Sequence, residues 1–239
     1  NNMDASAIAD GSAAKGKTDT AVGIAIALNI ANMQNHAGVG ASTVTADGVS
    51  VQALMKKVGA TDEIHTFAAK AISGASGDDT GVAGSFALNY SKAQTDVALK
   101  TGAVVNAGAG DVTISAANST DAQVEAKAKA GSAGDTGVGV SVGLNIAVDN
   151  DTRALIGDGA TLTLGKDVTL SATGSHVVNT TAEGGGKSAK DTGVGGALAL
   201  TVADNETEAR IGTGTGLDVT GKVGVTASHH GASATTAKG

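Results

Sequence analysis

Acidic and amide side chains collect at two matching places in this 239-residue chain: Asp149, Asn150 and Asp151, then Asp204, Asn205 and Glu206. Oxygen ligands of this kind, held in a turn, are what calcium uses. The G-G-x-G-x-D signature of a calcium β-roll is absent, and the matching corner one repeat earlier reads "SKAQTD" from Ser91. Asp and Asn also settle at turns because their side chains bond the local backbone. The sequence admits calcium at Asp149, Asp151 and Asp204 without requiring it.

The histidines are His36, His65, His176, His229 and His230. Zinc needs several ligands converging on one point, and no spacing here supplies them. His229 and His230 alternate across a strand, and all the histidines read as surface residues. Carbohydrate cleavage would need paired acids in a groove beside aromatic platforms. The aromatics are only Tyr90, Phe67 and Phe86, with Phe86 expected in the inward register of its strand. The glycines of "GTGTG" (212–216) lack the lysine of a phosphate loop. No catalytic, cofactor-binding or metal residue is assigned, and the chain is expected not to be an enzyme.

Composition narrows the elements that position these residues. There are 36 Gly, no Pro, no Cys and no Trp. Without aromatic volume, thin and regular layers of Val, Ile, Leu and Ala must form the interior. A net charge of −7 gives no electrostatic footprint for nucleic acid or anionic lipid. Lack of cysteine excludes a disulfide framework and thiolate metal sites. No apolar run is long enough for a membrane-spanning helix, and "NNMDASAIADGS" is not an export signal.

One stretch recurs: "DTAVGIAIALNI" from Asp19, "DTGVAGSFALNY" from Asp79, "DTGVGVSVGLNI" from Asp135 and "DTGVGGALALTV" from Asp191, at spacings of 60, 56 and 56. A later strand recurs as "DVTISA" from Asp111, "DVTLSA" from Asp167 and "KVGVTA" from Lys222. The chain divides into the end of a preceding repeat (1–18), repeat 1 (19–78, with an insertion near 54–66), repeat 2 (79–134), repeat 3 (135–190) and an incomplete repeat 4 (191–239). It reads as an excerpt of a longer array.

Each repeat predicts about five strands, in repeat 3 at 137–148, 152–156, 160–164, 167–173 and 176–183. A 56-residue unit this poor in bulky residues cannot bury its own core, so the repeats must stack. The expected fold is all-β, a parallel β-helix (β-solenoid) of four tandem repeats, 1–239 forming one continuous solenoid. The eleven-residue alternation from Val138 to Val148 favours two coils per repeat. Four repeats would then give a rod on the order of 40 Å long. Val138, Val140, Val142, Leu144, Ile146 and Val148 are expected inside together. The opposite face, Gly139, Ser141, Gly143, Asn145 and Ala147, is expected to pack on a neighbouring segment or another molecule, because small residues solubilise a strand poorly.

"IGDGATLTLGKDVTLSATG" (156–174) resembles the strand–Gly–strand units of filamentous-haemagglutinin-like giant repetitive surface adhesins of bacteria. The period departs from the shorter coils of that family, and no binding residue carries over. The resemblance implies secretion, an extracellular or bacterial cell-surface location, and a role as a structural stalk segment. Alternatives are a subunit of a self-assembling extracellular filament or surface layer, and a calcium- or glycan-binding repeat module. Expected partners are further copies, through solenoid ends or small-residue faces, and host or matrix surfaces. Neither nucleic acid nor a membrane span is expected.

Overall fold

The computed structural model describes residues 2–12, 19–55, 64–132 and 135–239. Long alternating runs without proline leave the backbone free to pair on both edges, and among the described residues the secondary structure is strand throughout. The strands are β1 (Asn2–Ser12), β2 (Thr20–Val39), β3 (Thr43–Thr45), β4 (Val49–Ala53), β5 (His65–Gly77), β6 (Thr80–Leu99) and β7 (Val104–Asn106). They continue as β8 (Val112–Ser132), β9 (Thr136–Ile156), β10 (Thr161–Gly165), β11 (Val168–Ser188), β12 (Thr192–Ile211), β13 (Gly216–Val219) and β14 (Val223–Lys238). The five short segments expected per repeat are three strands, because β9 runs on through the acidic corner at Asp149 and β11 runs on through 173–175.

All pairing is parallel, in three stacked sheets: β1-β5-β8-β11-β14 with β4 also on β8, then β12-β9-β6-β2, then the short β13-β10-β7-β3. The chain is a parallel β-solenoid. Thr136 pairs with Thr80 on one side and Thr192 on the other, and Val168 pairs with Val112 and Val223. One turn of the solenoid therefore consumes a whole 56-residue period, which corrects the expected two coils per repeat. The period fixed only the total; strands of 20 or 21 residues use it up in one circuit. At about 4.8 Å per step the long sheets stack about 14 to 19 Å high, well short of the expected rod.

The facing expected for Val138–Val148, in β9, is reversed. Gly137, Gly139, Ser141, Gly143, Asn145 and Ala147 point inward, while Val140 is 46% exposed and Val142, Leu144 and Ile146 lie on the outer surface. Phe86 likewise points outward, against expectation. The cause is the separation of the two long sheets. A Cβ on Gly139 would lie 2.2 Å from the carbonyl oxygen of Gly185 in the facing sheet. No branched side chain fits such a gap, so the small face is the interior and the aliphatics are displaced outward. The small-residue face does pack, on a neighbouring segment of its own chain, and is not available for self-association.

The two long sheets diverge from this tight end. Ala71, Ala87 and Ala126 fill the middle, and at the wide end Leu99, Val105, Ile114, Ile156, Leu162 and Leu170 form the bulky core under the short sheet. In β9 the parity switches at a bulge where Asp149 takes φ 51°, so that Ile156 points inward opposite Leu99. Corners flanking the short sheet turn on left-handed Gly48, Gly102, Gly108, Gly159 and Gly214. In the first repeat β4 and β5 both pair with β8, against Val112–Ala116 and Thr120–Ser132. The expected insertion near 54–66 falls at the junction of these two strands, and its residues 56–63 lie outside the described residues.

Candidate functional site

The outward aliphatics form a grid. Strand register places Val22, Val82, Val138 and Val194 on one rung, Ile26, Phe86, Val142 and Leu198 on another, and Leu28, Leu88, Leu144 and Leu200 on the next. Ile30, Tyr90, Ile146 and Val202 close the grid, and the rung Ile24, Gly84, Val140, Gly196 carries its only glycines. Ile24 is 65% and Ile30 69% exposed. No Asp, Glu, Lys, Arg or His stands within the grid. An apolar patch of several hundred Å² on a soluble surface marks an interaction site or an aggregation hazard.

The other broad face has the opposite chemistry. On the outside of the β5-β8-β11-β14 sheet, Lys70 bonds Glu125 at 2.7 Å and Lys127 lies between Glu125 and Glu183, with Lys238 3.7 Å from Glu183. Burial pushes the Glu125 carboxyl up, yet hydrogen bonds from Lys127 and Lys70 hold it below the usual carboxylate range. Like positions in stacked coils thus form a cross-strand charge ladder. One face is built for water and the other is not.

The acidic corner lies beyond the grid on the same sheet as the aliphatics. Asp149 is paired with Lys92, Asp151 with Arg153 at 3.0 Å and with Gln94 at 3.2 Å, and Arg153 also reaches Glu206 and Glu208. Burial raises the Asp151 carboxyl, and Arg153 partly offsets it. Asp204 stands exposed at the same corner of the next coil. Lys92 and Arg153 therefore occupy the electrostatic place that a cation would take. Among the described residues no group of three or more His, Cys, Asp or Glu side chains is arranged to hold a metal.

Polar ladders run through the interior. Asn29 donates to Asn89 Oδ1 at 2.9 Å, Asn89 donates to Asn145 Oδ1 at 2.9 Å, and Asn145 donates to the carbonyls of Ala122 and Asn179 across the gap. In the next coil Thr201 takes this place, bonded to Thr180 and Thr235. The sequence signal was available: an asparagine after leucine, in the small-residue parity, at Asn29, Asn89 and Asn145.

His176 corrects the expectation of surface histidines. Its ring is fully buried, bonded through Nδ1 to Thr120 at 2.8 Å, with its centroid 5.5 Å from that of His229. Burial, with His229 nearby, lowers its pKa to about 4. His229 in turn bonds Thr207 at 3.0 Å. His36 pairs with Asp96 at 3.3 Å on the surface, and His65 stacks on the buried Phe67.

Comparison with protein-family models, curated proteins and solved structures returns no match. Among the described residues, no helix is long and apolar enough to cross a membrane.

Proposed function

We propose that this chain is a structural stalk segment of a large secreted or cell-surface bacterial adhesin, acting as scaffold and not as catalyst. The observation that supports this reading is coil-on-coil register: Thr80, Thr136 and Thr192 stack directly, as do Ala116, Ala172 and Ala227. Each unit supplies the template for the next, so stability is a sum of unit and interface terms and the array extends by repetition. The sequence resemblance to filamentous-haemagglutinin-like proteins points the same way. Antibodies raised against the folded chain provide the test. They should label intact cells of the producing bacterium; labelling only after permeabilisation would defeat the reading.

The grid of outward aliphatics favours a second reading, the subunit of an extracellular filament or layer whose surfaces pack against one another. Electron microscopy of the purified chain separates them: discrete particles fit a stalk segment, regular fibres or sheets a self-assembling subunit.

A further inference from the structure

Four features of the outer β2-β6-β9-β12 face bear on what covers it. The grid is free of charged side chains, while the opposite face of the same solenoid carries a Lys–Glu ladder. Five rungs two residues apart, over four strands, span about 27 Å by about 14 Å, or about 380 Å². Two such faces together would bury about 760 Å², the size of a weak interface, so the fit of their relief must carry the pairing. The fourth feature is relief. Along one rung the surface runs Ile24, Gly84, Val140, Gly196, a projection alternating with a notch. Space over both glycines is open: a Cβ on Gly84 would meet only Ile24 Cγ1 at 3.9 Å, and one on Gly196 only the Val140 methyls at 3.7 and 3.9 Å.

We propose that this face is covered by the same face of a second copy of the chain, in a two-fold pair whose axis runs parallel to the strands between β6 and β9. Such an axis reverses strand order and keeps every residue on its own rung. β2 then lies over β12 of the second copy, and β6 over its β9. Ile24 enters the notch at Gly196 of the second copy, Val140 enters the notch at Gly84, and the reciprocal contacts follow by symmetry. An axis along the stack of coils would instead set Ile24 over Leu28 and Val140 over Leu144, projection against projection. The two solenoids in the pair run in opposite directions along their stacking axes. The pairing stands whatever the wider role of the chain.

Sedimentation equilibrium of the whole 239-residue chain tests it. The wild type should form a closed dimer. Gly84→Val should unfold at the same temperature as the wild type or higher, since the new side chain enters open space. It should also weaken the dimer about ten-fold or more, because it fills the notch that Val140 of the second copy needs. Gly196→Val should act the same way through Ile24. A chain that stays monomeric at sub-millimolar concentration overturns the proposal, as does a dimer that tolerates both substitutions. Flotation with neutral phosphatidylcholine vesicles, without dimerisation in their absence, would overturn it in favour of a lipid surface.

Discussion

Asn89 and Asn145 are joined amide to amide at 2.9 Å across the step between neighbouring coils, and both are fully buried. Replacing Asn89 by alanine removes the donor to Asn145 Oδ1 and the acceptor for Asn29, leaving polar atoms without partners in the interior. Asn89→Ala should cost about 2 to 3 kcal/mol. Asn89→Thr should cost less, because Thr201 fills the same place two coils on. Urea midpoints at unchanged slope would measure both. A loss below about 0.5 kcal/mol for alanine would show that the ladder does not stabilise the stack.

Gly139 and Val142 should respond to substitution in the order opposite to their hydrophobicity. Gly139→Ala forces a methyl against the Gly185 backbone and should cost about 3 kcal/mol or prevent folding. Val142→Asp places its carboxylate at the outer surface and should cost about 1 kcal/mol. Thermal unfolding of the two variants side by side decides the facing of this strand.

Acid should weaken the fold through His176. Its pKa is lowered to about 4, so between that value and the ordinary 6.5 the unfolded chain binds a proton that the folded chain excludes. The folded state therefore loses stability as pH falls from about 6.5 toward 4, on the order of 3 kcal/mol from this one group, and is unaffected by it above that window. The groups set against the ring are Thr120 and His229, neither of them a carboxylate that could compensate. His176→Thr, matching Thr120 one coil away, should flatten the curve over this interval. Identical pH profiles for variant and wild type would place the acid sensitivity elsewhere.

Leu164 carries a removable strain. It adopts φ 59° at a bulge beside Thr163, on a corner with four residues between Thr163 and Val168 where the previous coil has five between Asn106 and Val112. A left-handed leucine costs about 1 to 2 kcal/mol, and this one is 53% exposed, so little burial opposes the change. Leu164→Gly should raise stability by about 1 kcal/mol. A fall in melting temperature would mean that the leucine contacts outweigh the backbone strain.

The all-β parallel class was legible because alternation, absent proline and a long period leave few alternatives. Facing was not. Val138, Val140 and Val142 share one side of the strand whichever side is inside, and the usual preference for burying aliphatics selects the wrong one. What reverses it is the gap between sheets at Gly139 and Gly185, a distance set by closure of the whole coil. Asn145 was the local clue, since an amide among glycines and alanines suits a thin interior with carbonyls on both walls. His176 gave no clue: its burial depends on Thr120 and His229, each about one coil distant in sequence.

The circuit of each coil has a mechanical consequence. A 20-residue strand is about 66 Å long, yet each added coil raises the stack by only about 4.8 Å. The cross-section is a flattened teardrop, broad along the strands and thin between the two long sheets. A beam of that profile resists bending strongly within its broad plane and yields far more readily across it. The sequence is spent on width in place of reach, so a longer array of such coils would behave as a plank with one stiff and one compliant direction.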